Sequence, residues 1–113
     1  MHEMALAASL VEIIEEQART SELARVTRVW VTLGAHAAVD EGALAFGFEV
    51  ARRGTVADDA ELCFEHVAGR AYCMACEATV EVAVRGEGCP VCGGFQLLMV
   101  AGEEMRLTAM EGD

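Results

Sequence analysis

The chain has 113 residues, 54% hydrophobic and 24% charged, which suits one folded domain or a small domain carrying a lesser module. Nineteen acidic residues against eight Lys and Arg give a formal charge of −11, which disfavours nucleic acid as partner and suits a metal ion or a basic protein surface. The longest near-apolar runs, Met4 to Val11 and Phe95 to Gly102, are far shorter than the roughly 18 residues of a spanning helix, so no membrane span is expected.

Residues 4–20 repeat with a helical period. Leu6, Leu10, Ile13 and Ile14 form one stripe, widened by Ala7, Val11 and Ala18, and Glu12, Glu15, Glu16 and Arg19 fall mainly on the other side. Val26 to Leu33 is rich in β-branched residues and alternates, predicting a strand that ends at Gly34. Asp40 is placed as the N-cap of a second helix over 40–53, with Leu44, Phe48 and Ala51 on one face and Gly54 as the stop. A second strand is expected over 60–67. Further strands are expected over 79–84, 95–100 and 104–110, the last two separated by the turn Ala101-Gly102.

Between Arg70 and Gly94 the composition changes: four of the five cysteines lie there, with four glycines near the second pair and the single proline. The N-terminus carries no basic export signal, and a cytoplasmic chain keeps its thiols reduced, so metal binding is expected rather than a disulfide framework. Cys73-x2-Cys76 and Cys89-x2-Cys92 are twelve residues apart, a spacing that brings two thiolate knuckles onto one tetrahedral ion. All four positions are protein ligands, so the site is structural. A segment this poor in apolar bulk draws its folding free energy from the metal. Zinc is favoured, with iron left open by the ligand chemistry. Gly93 supplies positive φ after the second knuckle, whereas Glu77 stands at the matching position after the first. With two Arg, three Glu and no Lys between Arg70 and Gly94, no basic stripe for nucleic acid exists there. Cys63 is placed as a small, partly buried strand residue, and His36 and His66 as surface or strand histidines.

The start Met1-His2-Glu3 assembles a second donor set. The bulky His2 protects Met1 from removal, leaving an α-amine beside the His2 imidazole. Deprotonated amides of His2 and Glu3 complete the in-plane nitrogen arrangement that square-planar Ni(II) or Cu(II) prefers, and the Glu3 carboxylate offers oxygen instead. A helix start with no metal role explains the same residues.

Met1-His2-Glu3, the amphipathic first helix, the strand ending in Trp30-Val31-Thr32-Leu33-Gly34, the twin knuckles and the closing Gly102-Glu103-Glu104-Met105-Arg106-Leu107 together resemble the HypA/HybF family of hydrogenase nickel-incorporation proteins. The resemblance implies an α+β fold, a small mixed β-sheet with two helices on one face and an inserted zinc-ribbon-like module of four cysteines. It implies Ni(II) at His2 with Met1 and Glu3 as neighbours, and Zn2+ on Cys73, Cys76, Cys89 and Cys92. Residues 1–69 with 101–113 would form the nickel-binding domain and 70–100 the zinc-binding domain. The implied partners are a nickel-handling GTPase and the hydrogenase large subunit, with urease as a client of some members. The run 34–40 and Glu77 depart from the family pattern without touching these ligands. The function expected is non-enzymatic nickel delivery for [NiFe] hydrogenase maturation. The alternatives are a zinc-ribbon interaction module without nickel chemistry and a rubredoxin-like electron carrier.

Overall fold

Residues 2–113 are described by a computed structural model. In chain order they form α1 (His2–Thr20), β1 (Val26–Gly34), α2 (Glu41–Ala51), β2 (Glu61–Val67), β3 (Arg70–Cys73), β4 (Ala78–Glu81), β5 (Leu97–Ala101) and β6 (Met105–Gly112). Two three-stranded sheets result, ordered β2-β1-β6 and β4-β3-β5. The expected α+β class with an inserted cysteine module holds. The chain divides into two compact units. One contains 39–64, 107–113 and the segment ending at Val31; the other contains Thr32–Ala38 and Glu65–Arg106.

In the first unit, Ala7, Leu10, Val11, Ile14 and Ala18 of α1 are buried together with Val26, Val29 and Val31 of β1 and Leu44 and Phe48 of α2. Ile13, expected on the buried stripe, is instead 49% exposed. Successive helical residues are about 100° apart, so a face centred on Leu10, Val11 and Ile14 turns Ile13 to its flank. The two helices approach at Gly47. A Cβ there would lie 3.0 Å from the Ala7 side chain and 3.1 Å from Met4 Sδ, so a glycine that weakens α2 by propensity gives close packing in return. Asp40 caps α2 as expected: its backbone is extended and its carboxylate accepts the Ala43 N–H at 3.0 Å.

The second unit has a sheet of its own. β3, absent from the expected strands, is its centre, pairing antiparallel with β4 (Tyr72 opposite Thr79) and with β5 (Tyr72 opposite Leu98). Its alternation buries Ala71 and Cys73 and leaves Tyr72 outward. The strand expected over 79–84 stops at Glu81 because the next residue is claimed elsewhere. The Val82 N–H donates to Gly69 O at 2.8 Å, and Val82 O meets His36 Nε2 at 2.6 Å.

His36 corrects a second expectation. It is buried, just beyond β1. A carbonyl only accepts, so Nε2 carries the proton, and Nδ1 is buried without a hydrogen-bond partner among the described residues. Arg85 donates to the His36 carbonyl at 2.6 Å and pairs with Glu103 at 2.6 Å. The ring fits only because Gly69 has no side chain: a Cβ there would lie 2.4 Å from His36 Nε2 and 2.6 Å from Val82 O.

Two outcomes follow for stability. Gly69→Ala is expected to cost about 2 kcal/mol or more, since backbone and a buried ring must both move; urea unfolding of the metal-loaded protein checks this, and an unshifted midpoint contradicts the packing. Asp40→Ala is expected to cost about 1 kcal/mol and Asp40→Asn much less, because Asn retains the capping oxygen; equal losses would remove the cap from the explanation.

Candidate metal centre

The first knuckle is built by a hairpin. β3 ends at Cys73, which pairs with Ala78 at the start of β4, and residues 74–77 make the turn that returns the chain. Glu77 takes φ +53°, matching Gly93 at φ +74° after the second knuckle. The departure noted in the sequence is therefore one of residue type, not of backbone path. The second knuckle closes on itself through Gly93 N–H to Cys89 O at 2.8 Å and Cys89 N–H to Gly94 O at 2.7 Å. β5 then pairs Leu97 with Cys73, and the Met74 N–H reaches Gln96 O at 2.9 Å. The strand register thus carries the two knuckles to one place.

There Cys73, Cys76, Cys89 and Cys92 offer sulfurs that all lie within 4.8 Å of one another. Cys73 and Cys92 Sγ are 3.7 Å apart, Cys76 and Cys89 Sγ 3.9 Å. A tetrahedral ion with Zn–S bonds of about 2.3 Å needs sulfur–sulfur edges of about 3.8 Å, which these two pairs match, so the donor set fits Zn2+. The Cys76 N–H lies 3.4 Å from Cys73 Sγ and the Gly94 N–H 3.4 Å from Cys92 Sγ, placing donors where thiolate charge would sit. Cys73 and Cys89 are buried and Cys92 is exposed.

Proximity splits the proton affinities of the thiols. Hydrogen bonds with the Cys92 and Cys73 sulfurs push Cys76 up to about 12. The N–H groups of Cys92 and Val91 draw Cys89 down to about 7. Ligation requires all four as thiolates, so metal uptake releases protons. Among the described residues, no other cluster of three or more His, Cys, Asp or Glu offers converging ligand atoms. Cys63 is half-buried on β2, outside the cluster, and His66 is exposed.

Met1 lies outside the described residues. His2 opens α1 and is exposed, with its Nδ1 3.6 Å from Glu3 Oε1. The other Glu3 oxygen accepts the Asp40 N–H at 3.1 Å. That bond, followed by the residue's own N–H, holds the Glu3 carboxyl below the usual range. The link from Glu3 to Asp40, 37 positions away, has no local sequence signal beyond the cap itself.

A family model described as hydrogenase/urease nickel incorporation, metallochaperone, hypA matches residues 1–112. The chain belongs to the HypA family. A hydrogenase maturation factor HypA of Rhodopseudomonas palustris (strain BisB5) is 46% identical over 113 residues, covering 100% of both chains. One from Aeromonas salmonicida is 40% identical over 111 residues, 98% of each. Among solved structures, the solution structure of the Ni metallochaperone HypA from Helicobacter pylori aligns with TM-score 0.71 at 26% identity, over 97% of this chain and 96% of that one. A second HypA solution structure gives TM-score 0.73 at 28% identity, over 99% and 96%. Neither the electron carrier nor the ribbon without nickel chemistry is favoured by a match of this extent.

Cys76→Ala leaves three sulfurs and is expected to weaken zinc binding more than about 100-fold, with loss of amide dispersion in β3, β4 and β5. Competition against a chromophoric chelator measures the first and NMR the second; wild-type affinity in the variant would rule out four-sulfur ligation.

Proposed function

We propose that this HypA-family chain is a non-enzymatic nickel chaperone of the cytoplasm that receives Ni(II) at its N-terminus and passes it on for [NiFe] hydrogenase maturation. His2 is the principal ligand, with Met1 and Glu3 as neighbours. Zn2+ on Cys73, Cys76, Cys89 and Cys92 is the resident structural ion. Residues 1–69 with 101–113 act as the nickel-binding domain and 70–100 as the zinc-binding domain. A nickel-handling GTPase and the hydrogenase large subunit are the partners in delivery.

The observation that carries this proposal is the contrast between the two donor sets, in a chain matched by the nickel-incorporation family over residues 1–112. Four converging sulfurs enclose one site and leave no open position. The exposed His2 side chain and the first-turn amides of α1 form the other. First-turn N–H groups have no carbonyl partner within a helix, so a His2 or Glu3 amide that turns to a metal breaks no helical hydrogen bond. The positive end of the helix weakens the hold on a cation, and the ionised Glu3 carboxylate offsets it. Moderate affinity with open access suits capture followed by ligand exchange.

His2→Ala is expected to lower Ni(II) affinity at least about 100-fold while zinc content and the amide spectrum persist. Acetylation of the α-amine is expected to do the same. Calorimetry on protein with a native N-terminus makes the measurement, and unchanged nickel stoichiometry in both forms would refute the assignment.

A further inference from the structure

β6 is the outer strand of its sheet, with β1 on one side and, among the described residues, no strand on the other. Alternate backbone N–H and C=O groups of such a strand point away from its neighbour, and edges of this kind are normally blunted by Lys, Pro or a cover. The sequence over 107–112 contains neither Lys nor Pro. Beside it runs a hollow of about 320 Å3, with Ile13, Gln17 and Ser21 of α1 and its following turn on one wall and Leu107 to Met110 on the other. A second hollow of about 290 Å3 continues along α1 past Glu12, Ile13, Glu16 and Gln17. The apolar side chain that joins the two is Ile13, the residue α1 turns away from the core.

We infer that this groove receives an extended, basic segment of a protein partner, which adds to the sheet as a strand beside β6. Main-chain hydrogen bonds to the open edge supply affinity. Alternate side chains on the helix side fill the hollow against Ile13, and those between them face the other side of the sheet. The charge of the occupant follows from the rim. Glu12 is exposed and makes no ion pair among the described residues, while Glu16 meets Arg19 only loosely, at 3.7 Å between two exposed side chains. A Lys or Arg on the incoming strand finds acceptors there, and the formal charge of −11 draws a basic segment from a distance.

A second copy of the chain fits worse. Two β6 strands joined about a two-fold axis would place both α1 helices on the same side of the joint sheet, setting Glu12 and Glu16 against their own symmetry mates. The inference deepens the proposed function by giving its protein partner a surface, and it rests on that reading only for the identity of the partner.

The test uses the zinc-loaded chain with a native N-terminus and no nickel. The probe is an end-blocked decapeptide built on the repeat Val-Thr-Lys-Thr, so that valines and lysines share one face, with the same peptide carrying glutamate for lysine and one carrying a central proline as controls. Binding of the valine–lysine peptide is expected, with amide shifts confined to Ile13–Ser21 and β6. Affinity is expected to fall about tenfold or more for each control and for Ile13→Lys. Ile13 is half-exposed, so its variant keeps the fold, which its amide spectrum verifies. Equal binding of the glutamate or proline peptide, shifts elsewhere, self-association through β6, or no binding at all would overturn the inference. None of these outcomes involves His2 or nickel, so failure here leaves the nickel assignment standing, and failure of the His2 experiment leaves this groove standing.

Discussion

The second unit depends on the convergence of four sulfurs. Its buried apolar residues within Glu65–Arg106 are only Ala71, Cys73, Val82 and Cys89, and two of these are members of the sulfur cluster. Many of its larger apolar residues face water: Met74, Val84, Val91, Phe95, Leu98 and Val100 are exposed, and Leu97 and Met99 only half-buried. A segment that buries so little cannot offset the ordering of its backbone by the hydrophobic effect alone. A metal link between the β3–β4 turn and the loop before β5 ties together parts of the chain that packing leaves loosely held. The strand register and the knuckles are thus two views of one constraint. Cys73 sits at the end of β3, paired with Ala78 on one side and Leu97 on the other, so the pairing that makes the sheet also aims the sulfurs.

Around this centre, hydrogen bonds do what apolar contacts do in the first unit. The residues after β1 reach the arm beyond β4 through His36, whose Nε2–H meets Val82 O and whose carbonyl accepts from Arg85. The Gly34 N–H donates to Glu104 O at 2.8 Å and the His36 N–H to Gly102 O at 2.7 Å. Such bonds require backbones close enough to exclude a Cβ. One at Gly34 would lie 2.1 Å from Gly102 O, and Gly102 itself has φ +104°. Each bond is worth about 1 kcal/mol net, but each one broken leaves a polar group buried. The arrangement is therefore more specific than it is strong.

Much of this is legible in the sequence where a local rule applies. The 3.6-residue period of α1, the β-branched alternation of β1 and the Asp40 cap each bear on one element, and each predicts its element correctly. The cysteine spacing predicts a convergence that the structure displays. The failures are of another kind. β3 is four residues long, too short for alternation to register against its neighbours, and is a strand because β4 and β5 pair with it on both sides. His36 lies in an alanine-rich turn with no periodic pattern of its own, and its burial comes from Gly69 and Val82, more than thirty positions away in sequence. Periodicity puts Ile13 in the core because a stripe is wider on a helical wheel than the face a thin sheet covers. The bond from Glu3 to Asp40 joins two helix starts, and no periodicity encodes it.

The sulfur geometry also bears on why one protein would hold two metals without exchanging them. Zn2+ has a filled d shell and no geometric preference, so it accepts whatever tetrahedron the knuckles impose. Ni(II) with strong-field donors favours a square, in which neighbouring ligands are closer and opposite ligands farther apart than in a tetrahedron of the same bond length. Sulfur pairs at 3.7 and 3.9 Å, one across each pairing of the two knuckles, match tetrahedral edges. Making them square would shorten some sulfur contacts, lengthen others and pull Cys73 out of its register with Ala78 and Leu97. The sheet therefore resists the geometry that the cargo ion prefers. At the head of α1, where Ni(II) is proposed to bind, the exposed His2 ring meets only its neighbour Glu3 among the described residues and carries no strand register of this kind. Under the proposed assignment, selectivity between the two donor sets follows from the register that fixes one of them and not the other.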